Sequence, residues 1–164
     1  PHVIIPFSRK ITLFRDLYCL YQLIKFLRKE KPDIVHTQTP KAGLLGMIAA
    51  GICKVPRRIH TVGGLPIMTS QGLRKFILRI TETVTAHFAH QVLANSHKMA
   101  EYMVDESLCH PSKLYVLGRG SSNGIDTSHF DENKVEQSRE QLRAQHDIPA
   151  GAFVFLFIGR MVRD

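Results

Sequence analysis

Tryptophan is absent from these 164 residues, cysteine appears three times, and no apolar run is long enough to cross a bilayer. Each shortage excludes something. Cys19, Cys53 and Cys109 stand singly, without the paired spacing of a zinc site or a disulfide framework, which suits a reducing cytoplasm. The longest apolar run, AGLLGMIAAGIC at 42–53, falls short of the roughly 18–20 residues a membrane helix needs, and no signal-peptide pattern is present. A soluble or membrane-peripheral protein is expected. Acidic residues are scarce in one part only: residues 1–98 hold 4 Asp/Glu against 15 Lys/Arg, whereas 99–164 hold 10 against 7. A stretch with a net charge of +11 suits an anionic partner (membrane surface, polyphosphate or nucleic acid) or forms a solvated basic face.

Hydrophobic residues make up 44 % of the chain, enough for one core. Short apolar runs alternate with helical patterns. HVII (2–5), DIVHT (33–37), RRIHTV (57–62), QVLAN (91–95), KLYVL (113–117) and FVFLFI (153–158) are β-branched or aromatic and bounded by turn residues, as strands are. Leu13, Leu17, Leu20, Ile24 and Leu27 recur at helical spacing, and so do Leu73, Phe76, Ile77, Ile80, Val84 and Phe88. The stretch 41–53 is small and apolar all round, the mark of a buried helix, and shorter helices fit 97–108 and 131–147. Such alternation implies an α/β fold, a Rossmann-like parallel sheet with helices on both faces, and places ligands past the carboxyl ends of the strands. The segments TPKAG, GGLP and SSNGID should therefore gather around one crevice.

In TPKAG, Thr39 can cap the next helix with Pro40 at its first turn, and Lys41 adds charge beside free backbone N–H groups, an anion site or an ordinary capped helix. His60 precedes Gly63 and Gly64, which let backbone approach a ligand or take positive φ; a buried, satisfied histidine by a tight turn is the plainer reading. Ser96 caps a helix. Glu82 can face a cleft or pair with one of the many arginines, pairing being the ordinary outcome. His87 and His90 lie three apart but lack a third ligand, so no metal is expected. The run GRGSSNG at 118–124 is neither a dinucleotide fingerprint, its third glycine coming one residue late, nor a P-loop. Followed by a polar helix and a fresh apolar run, it reads as a bend between domains.

PDIVHTQTPKAGLLG, RRIHTVGGLP, VLANS, GSSNGIDTSHF and FVFLFIGRMVRD together resemble the amino-terminal half of glycosyltransferase family 4, and within it the bacterial enzymes that build capsule or O-antigen polysaccharide on a polyprenyl-diphosphate carrier. The resemblance implies half of a GT-B fold, with residues 1–130 as the Rossmann-like acceptor-side domain, 131–151 as a linker helix and connection, and 152–164 as the first strand of a donor-binding domain. Starting at Pro1 and ending just past FIGR, the chain is expected to be part of a longer enzyme and inactive alone. The implied reaction is retaining transfer of a sugar from a nucleotide-sugar to a lipid-linked saccharide, with no cofactor and no metal. By the same resemblance Arg160 grips the donor diphosphate, with Asn123 and Gly124 at the cleft mouth. Lys41, His60, Gly63 and Gly64 fall on the acceptor side. Gly63 stands where many relatives carry a second histidine, and His60 is the one candidate for a catalytic role. Arg9, Lys10, Arg74, Lys75 and Arg79 are expected to border an anionic membrane surface on the cytoplasmic side. A basic nucleic-acid-binding module is the competing class, without a helix-turn-helix, RNP, KH or zinc-finger pattern to support it; another GT-B enzyme, such as a sugar-nucleotide epimerase, is the third.

Overall fold

The computed structural model describes residues 3–8, 12–121, 124–131 and 137–159. The chain forms two compact units, Pro1–Asn123 and Gly124–Asp164.

The first unit is an α/β layer structure. Helix α1 (Leu13–Glu30) leads into β1 (Ile34–Gln38), α2 (Pro40–Ile52), β2 (Arg57–Val62), α3 (Gly72–Phe88), β3 (Gln91–Ala94), α4 (His97–Asp105) and β4 (Leu114–Val116). The four strands pair in parallel in the order β1-β2-β3-β4, as the run of apolar segments separated by helices predicts. Register puts Thr37 beside His60, His60 beside Val92 and Val62 beside Ala94, all directed toward the helices. Val62 and Val92 share one core with Met47 of α2, Ala86 of α3 and Met103 of α4. A second cluster joins Leu27 of α1 to Ala49, Ala50 and Val55. The alternate strand positions His36, Gln38 and Tyr115 are exposed. The expected parallel, Rossmann-like sheet flanked by helices is thus what forms.

Helix α2 lies between α1 and α3, which explains its composition. Its small residues let backbones approach: a Cβ at Gly46 would stand 2.7 Å from Thr37 Cγ2, and one at Gly51 would meet the Phe88 ring. Cations close helix ends. Lys113 Nζ donates to the carbonyls of Ala86, His87 and Ala89, and Arg58 Nε to that of Phe88 at 2.6 Å, so both offset the negative end of α3. Ser96 caps α4, its Oγ accepting from Met99 N at 3.1 Å, as the sequence implies.

Two expected strands are not formed among the described residues. Val3–Ile5 and residues 153–158 have no ladder partner among the described residues, and a strand without a neighbour has unpaired backbone groups. The first of these segments continues to Pro6, whose carbonyl accepts from Arg15 Nε of α1 at 2.9 Å. In the second unit, α5 (Arg139–Gln145) starts with a capping box between Ser138 and Gln141, and Arg143 bonds the carbonyls of Pro149 and Ala152. Phe155 is 90 % and Phe157 82 % exposed, so this apolar run buries little of itself within its own unit.

The helical stripes are only half buried. On α1, Cys19 and Leu27 are buried and Leu27 packs with Leu20 and Ile24, whereas Leu13 and Leu17 are exposed. On α3 the inward face carries Leu78, Glu82, Thr85 and Ala86, and the apolar stripe Leu73, Phe76, Ile77 and Ile80 faces out. Thr85 meets this interior by donating its hydroxyl to Thr81 O at 2.7 Å.

Candidate functional site

Past the carboxyl ends of β1, β2 and β3 lies a cavity of about 440 Å³, a size typical of small-molecule sites. Gln38, Thr39, His60, Gly63, Glu82 and Asn95 are among the residues that line it, and among the described residues no lysine or arginine does. It occupies the ligand edge that parallel α/β sheets share.

His60 enters this wall from β2. It is 3 % exposed, and its Nδ1 lies 2.8 Å from Thr37 Oγ1 on the neighbouring strand. Burial, with the nearby His36 adding to it, lowers its pKa to about 4 against the opposing effect of a hydrogen bond with the Thr37 backbone, so the ring is neutral at physiological pH. The imidazole packs on α2 where Gly43 has no side chain; a Cβ there would overlap the ring. No fully buried side-chain N or O atom among the described residues lacks a partner, so His60 Nε2, which has none, must open onto the cavity. The plain reading of a buried, hydrogen-bonded histidine holds at Nδ1, while Nε2 opens onto the cavity.

Glu82 reaches the same cavity from α3 and is 4 % exposed. The expected arginine partner does not materialise. Arg79, one helical turn away, donates from Nη1 to Glu106 Oε2 at 2.7 Å and from Nη2 to Glu106 O at 2.6 Å. Burial alone raises the Glu82 carboxyl to about 7. This residue was not among those the sequence placed in the site, because its helix shows its apolar stripe on the opposite side.

Gly63 and Gly64 line the cavity as expected, although neither takes positive φ. Nothing within 4 Å would meet a Cβ at Gly64, so its contribution is open space beside the backbone. Thr39 lines the cavity in an unanticipated way: its side chain makes no capping bond, and its backbone holds φ 67° and ψ 146°, a region a threonine enters only under strain. Lys41 does not line it. Its ammonium lies 2.8 Å from Asp16 Oδ1, tying α2 to α1, and this bond together with that from Thr12 N outweighs burial and holds the Asp16 carboxyl below its usual range.

The glycine loop answers to packing. Gly118 and Gly120 take φ of 56° and 84°, and a Cβ on Gly120 would stand 2.6 Å from Asn95 O. Ser121 N donates to that same carbonyl, fastening the loop to a residue of the cavity wall. Of the SSNGID segment Ser121 is fastened to the site in this way, Ser122 and Asn123 lie outside the described residues, and Gly124 belongs to the second unit and is exposed. Asn123 and Arg160 lie outside the described residues, as do Arg9 and Lys10. Of the other basic residues, Lys75 and Arg79 share Glu106, at 3.9 and 2.7 Å, and Arg74 is exposed. Among the described residues no helix is long and apolar enough to cross a membrane, and no three His, Cys, Asp or Glu side chains converge as metal ligands.

The sequence profile described as Glycosyltransferase Family 4 matches residues 1–129, which takes in every strand of the sheet and the whole cavity wall. The chain belongs to glycosyltransferase family 4. It is 40 % identical over 163 residues to a capsular polysaccharide biosynthesis glycosyltransferase, CapM, of Staphylococcus aureus, covering 98 % of this chain and 41 % of that protein. It is 32 % identical over 156 residues to the UDP-Gal:alpha-D-GlcNAc-diphosphoundecaprenol alpha-1,3-galactosyltransferase of Escherichia coli, covering 93 % and 38 %. To the N,N'-diacetylbacillosaminyl-diphospho-undecaprenol alpha-1,3-N-acetylgalactosaminyltransferase of Campylobacter jejuni it is 27 % identical over 146 residues, covering 85 % and 38 %. The chain thus spans about two fifths of the length of the curated relatives it matches.

Proposed function

We propose that the protein carrying this chain is a bacterial surface-polysaccharide glycosyltransferase. It moves a sugar, with retention, from a nucleotide-sugar to a saccharide carried on polyprenyl diphosphate. In this reading residues 1–130 form the acceptor-side domain, 131–151 the connection, and 152–164 the start of the donor-binding domain. The observation that carries it is the match of the family profile to the whole sheet together with a ligand-sized cavity at that sheet's carboxyl edge. The names of the two diphosphoundecaprenol-dependent relatives support the lipid-linked acceptor.

Arg160 is assigned the donor diphosphate, where a bidentate guanidinium stabilises charge that accumulates as the glycosidic bond breaks. Asn123 and Gly124 are assigned the cleft mouth, and no metal is required. The acceptor's carrier lies in a bilayer, and the surface offers features suited to one. Phe14 is 87 % and Leu73 73 % exposed, on helices that carry Arg15, Arg74, Lys75 and Arg79. Anionic lipid attracts each nearby cation by about 1 kcal/mol, reduced here for the two that share Glu106. The protein is therefore placed at the cytoplasmic membrane surface as a peripheral enzyme.

The test is transfer by the full-length protein. Radiolabelled nucleotide-activated hexoses and N-acetylhexosamines are offered, with chelator present, to polyprenyl-diphosphate-linked saccharides. A labelled lipid product with the donor's anomeric configuration is expected. Conversion of the nucleotide-sugar to an isomer without acceptor would instead identify an epimerase, and product formation that requires a divalent metal would remove the metal-independent part.

A further inference from the structure

The cavity wall presents two polar groups that the protein itself leaves unmatched. His60 Nε2 and the Glu82 carboxyl belong to side chains that are 3 % and 4 % exposed, and neither has a hydrogen-bond partner among the described residues. A buried carboxyl without a partner costs free energy unless something that arrives later satisfies it. An anion is a poor candidate for that role, since among the described residues no lysine or arginine lines the cavity and the adjacent carboxyl, once ionised, would repel it. Metal ions are no better served, with a single carboxylate and a single imidazole available. A neutral polyhydroxyl compound fits: each sugar hydroxyl both donates and accepts, and Gln38, Thr39 and Asn95 add further polar partners around the rim.

Resting on the function proposed above, we infer that Glu82 is an acceptor-binding, specificity-determining residue. It hydrogen-bonds one hydroxyl of the acceptor's sugar seated in this cavity, with His60 Nε2 beside it, while the carrier diphosphate stays outside. Burial keeps the proton on Glu82 to higher pH than on an ordinary carboxyl, so it can donate to the hydroxyl when protonated and accept from it when ionised. Among the described titratable groups on elements packed against α3, only His60 shares the cavity. Lys41 of α2 is tied to Asp16, and Arg57 and Arg58 stand at the far end of β2, the latter held by Phe88 O and Val55 O. The apparent ionisation of Glu82 is therefore set by burial and by the sugar that covers it.

The experiment compares the full-length wild type with E82Q and E82L for KM of acceptor and of donor between pH 5.5 and 8.5, using the lipid-linked saccharide and a series of its single-deoxy analogues. E82L should raise acceptor KM by about 10-fold or more, with donor KM changed by less than about twofold. E82Q, which keeps a donor and an acceptor, should lose less but abolish the inflection near neutral pH in kcat/KM for the acceptor. One deoxy position should weaken wild type and add no further penalty in E82L, which identifies the bonded hydroxyl. An active wild type whose acceptor KM and pH profile are unaltered in E82Q, with every deoxy position additive to E82L, overturns this assignment and leaves the proposed function standing. A wild type that transfers nothing to any lipid-linked saccharide overturns that function, and this inference with it. Should E82L fail to fold, the pH profile of E82Q still decides.

Discussion

The cavity and the outer faces of α1 and α3 hold opposite chemistries. The cavity is open to solvent and mostly apolar, holds the side chains of His60 and Glu82, and among the described residues has no Lys or Arg, whereas the helix exteriors combine exposed apolar side chains such as Phe14, Leu73 and Phe76 with Arg15, Arg74 and Lys75. The strongly basic character of residues 1–98 is thus not concentrated on the pocket. Part of it is structural: Arg58 and Lys113 close the end of α3, Lys41 ties α2 to α1, and Arg79 holds Glu106. What remains exposed describes a surface. A single inference from net charge to ligand would have merged two separate properties, a cavity lined by no described cation and a cationic, apolar exterior.

The largest effect that would sharpen this contrast is the pH dependence of stability. His60 has a lowered pKa, so its contribution is present above about 6.5 and is lost as pH falls toward 4. Glu82 has a raised one, so its contribution is present below 4.5 and is lost as pH rises through 7. Each is worth on the order of 3 kcal/mol and the two oppose each other, leaving the wild type nearly flat between pH 4.5 and 6.5. E82Q removes one side of this balance. Its stability advantage over wild type, read by denaturant unfolding, should grow as pH rises from 4.5 to 7; an advantage independent of pH would mean that the carboxyl is not buried as described.

Next in size is Gly43→Ala, which sets a methyl group against the buried imidazole and should cost about 1–3 kcal/mol in the same unfolding experiment. The smallest effect belongs to the exterior. Phe14→Ser and Phe76→Ser remove side chains that are 87 % and 59 % exposed, and should change stability by no more than about 0.5 kcal/mol. Both should nevertheless weaken salt-sensitive flotation with anionic liposomes. Unchanged flotation in the double variant would break the contrast by showing that this exterior does not meet lipid.

Much of the fold was legible because its signals are local. RRIHTV and QVLAN give β2 and β3 almost to the residue, and the small apolar run at 41–53 is the sandwiched α2. The cavity was legible in part: parallel strands place it at their carboxyl ends, which brought His60, Gly63 and Gly64 to the right wall. Glu82 was read as an arginine's partner ahead of a cleft residue, because helical periodicity reports where the apolar residues are, not which side the fold buries. On α3 the buried side is built from Thr85, Ala86 and a carboxylic acid, and the apolar stripe is outside. The ion pair of Lys41 with Asp16 escaped for another reason, since it joins residues 25 apart in sequence and no local pattern announces it. Runs 2–5 and 153–158 read as strands by composition, yet pairing is a property of two segments, and no spacing within one can supply the other.

The fit between Gly43 and the ring of His60 has a consequence for how such a sequence can drift. Neither position is free to change alone: a larger residue on the helix excludes the imidazole, and a smaller one on the strand leaves a void that the helix cannot fill. Substitutions there should travel as pairs, so a variant that has exchanged the histidine for a compact side chain is the place to look for alanine or serine across from it.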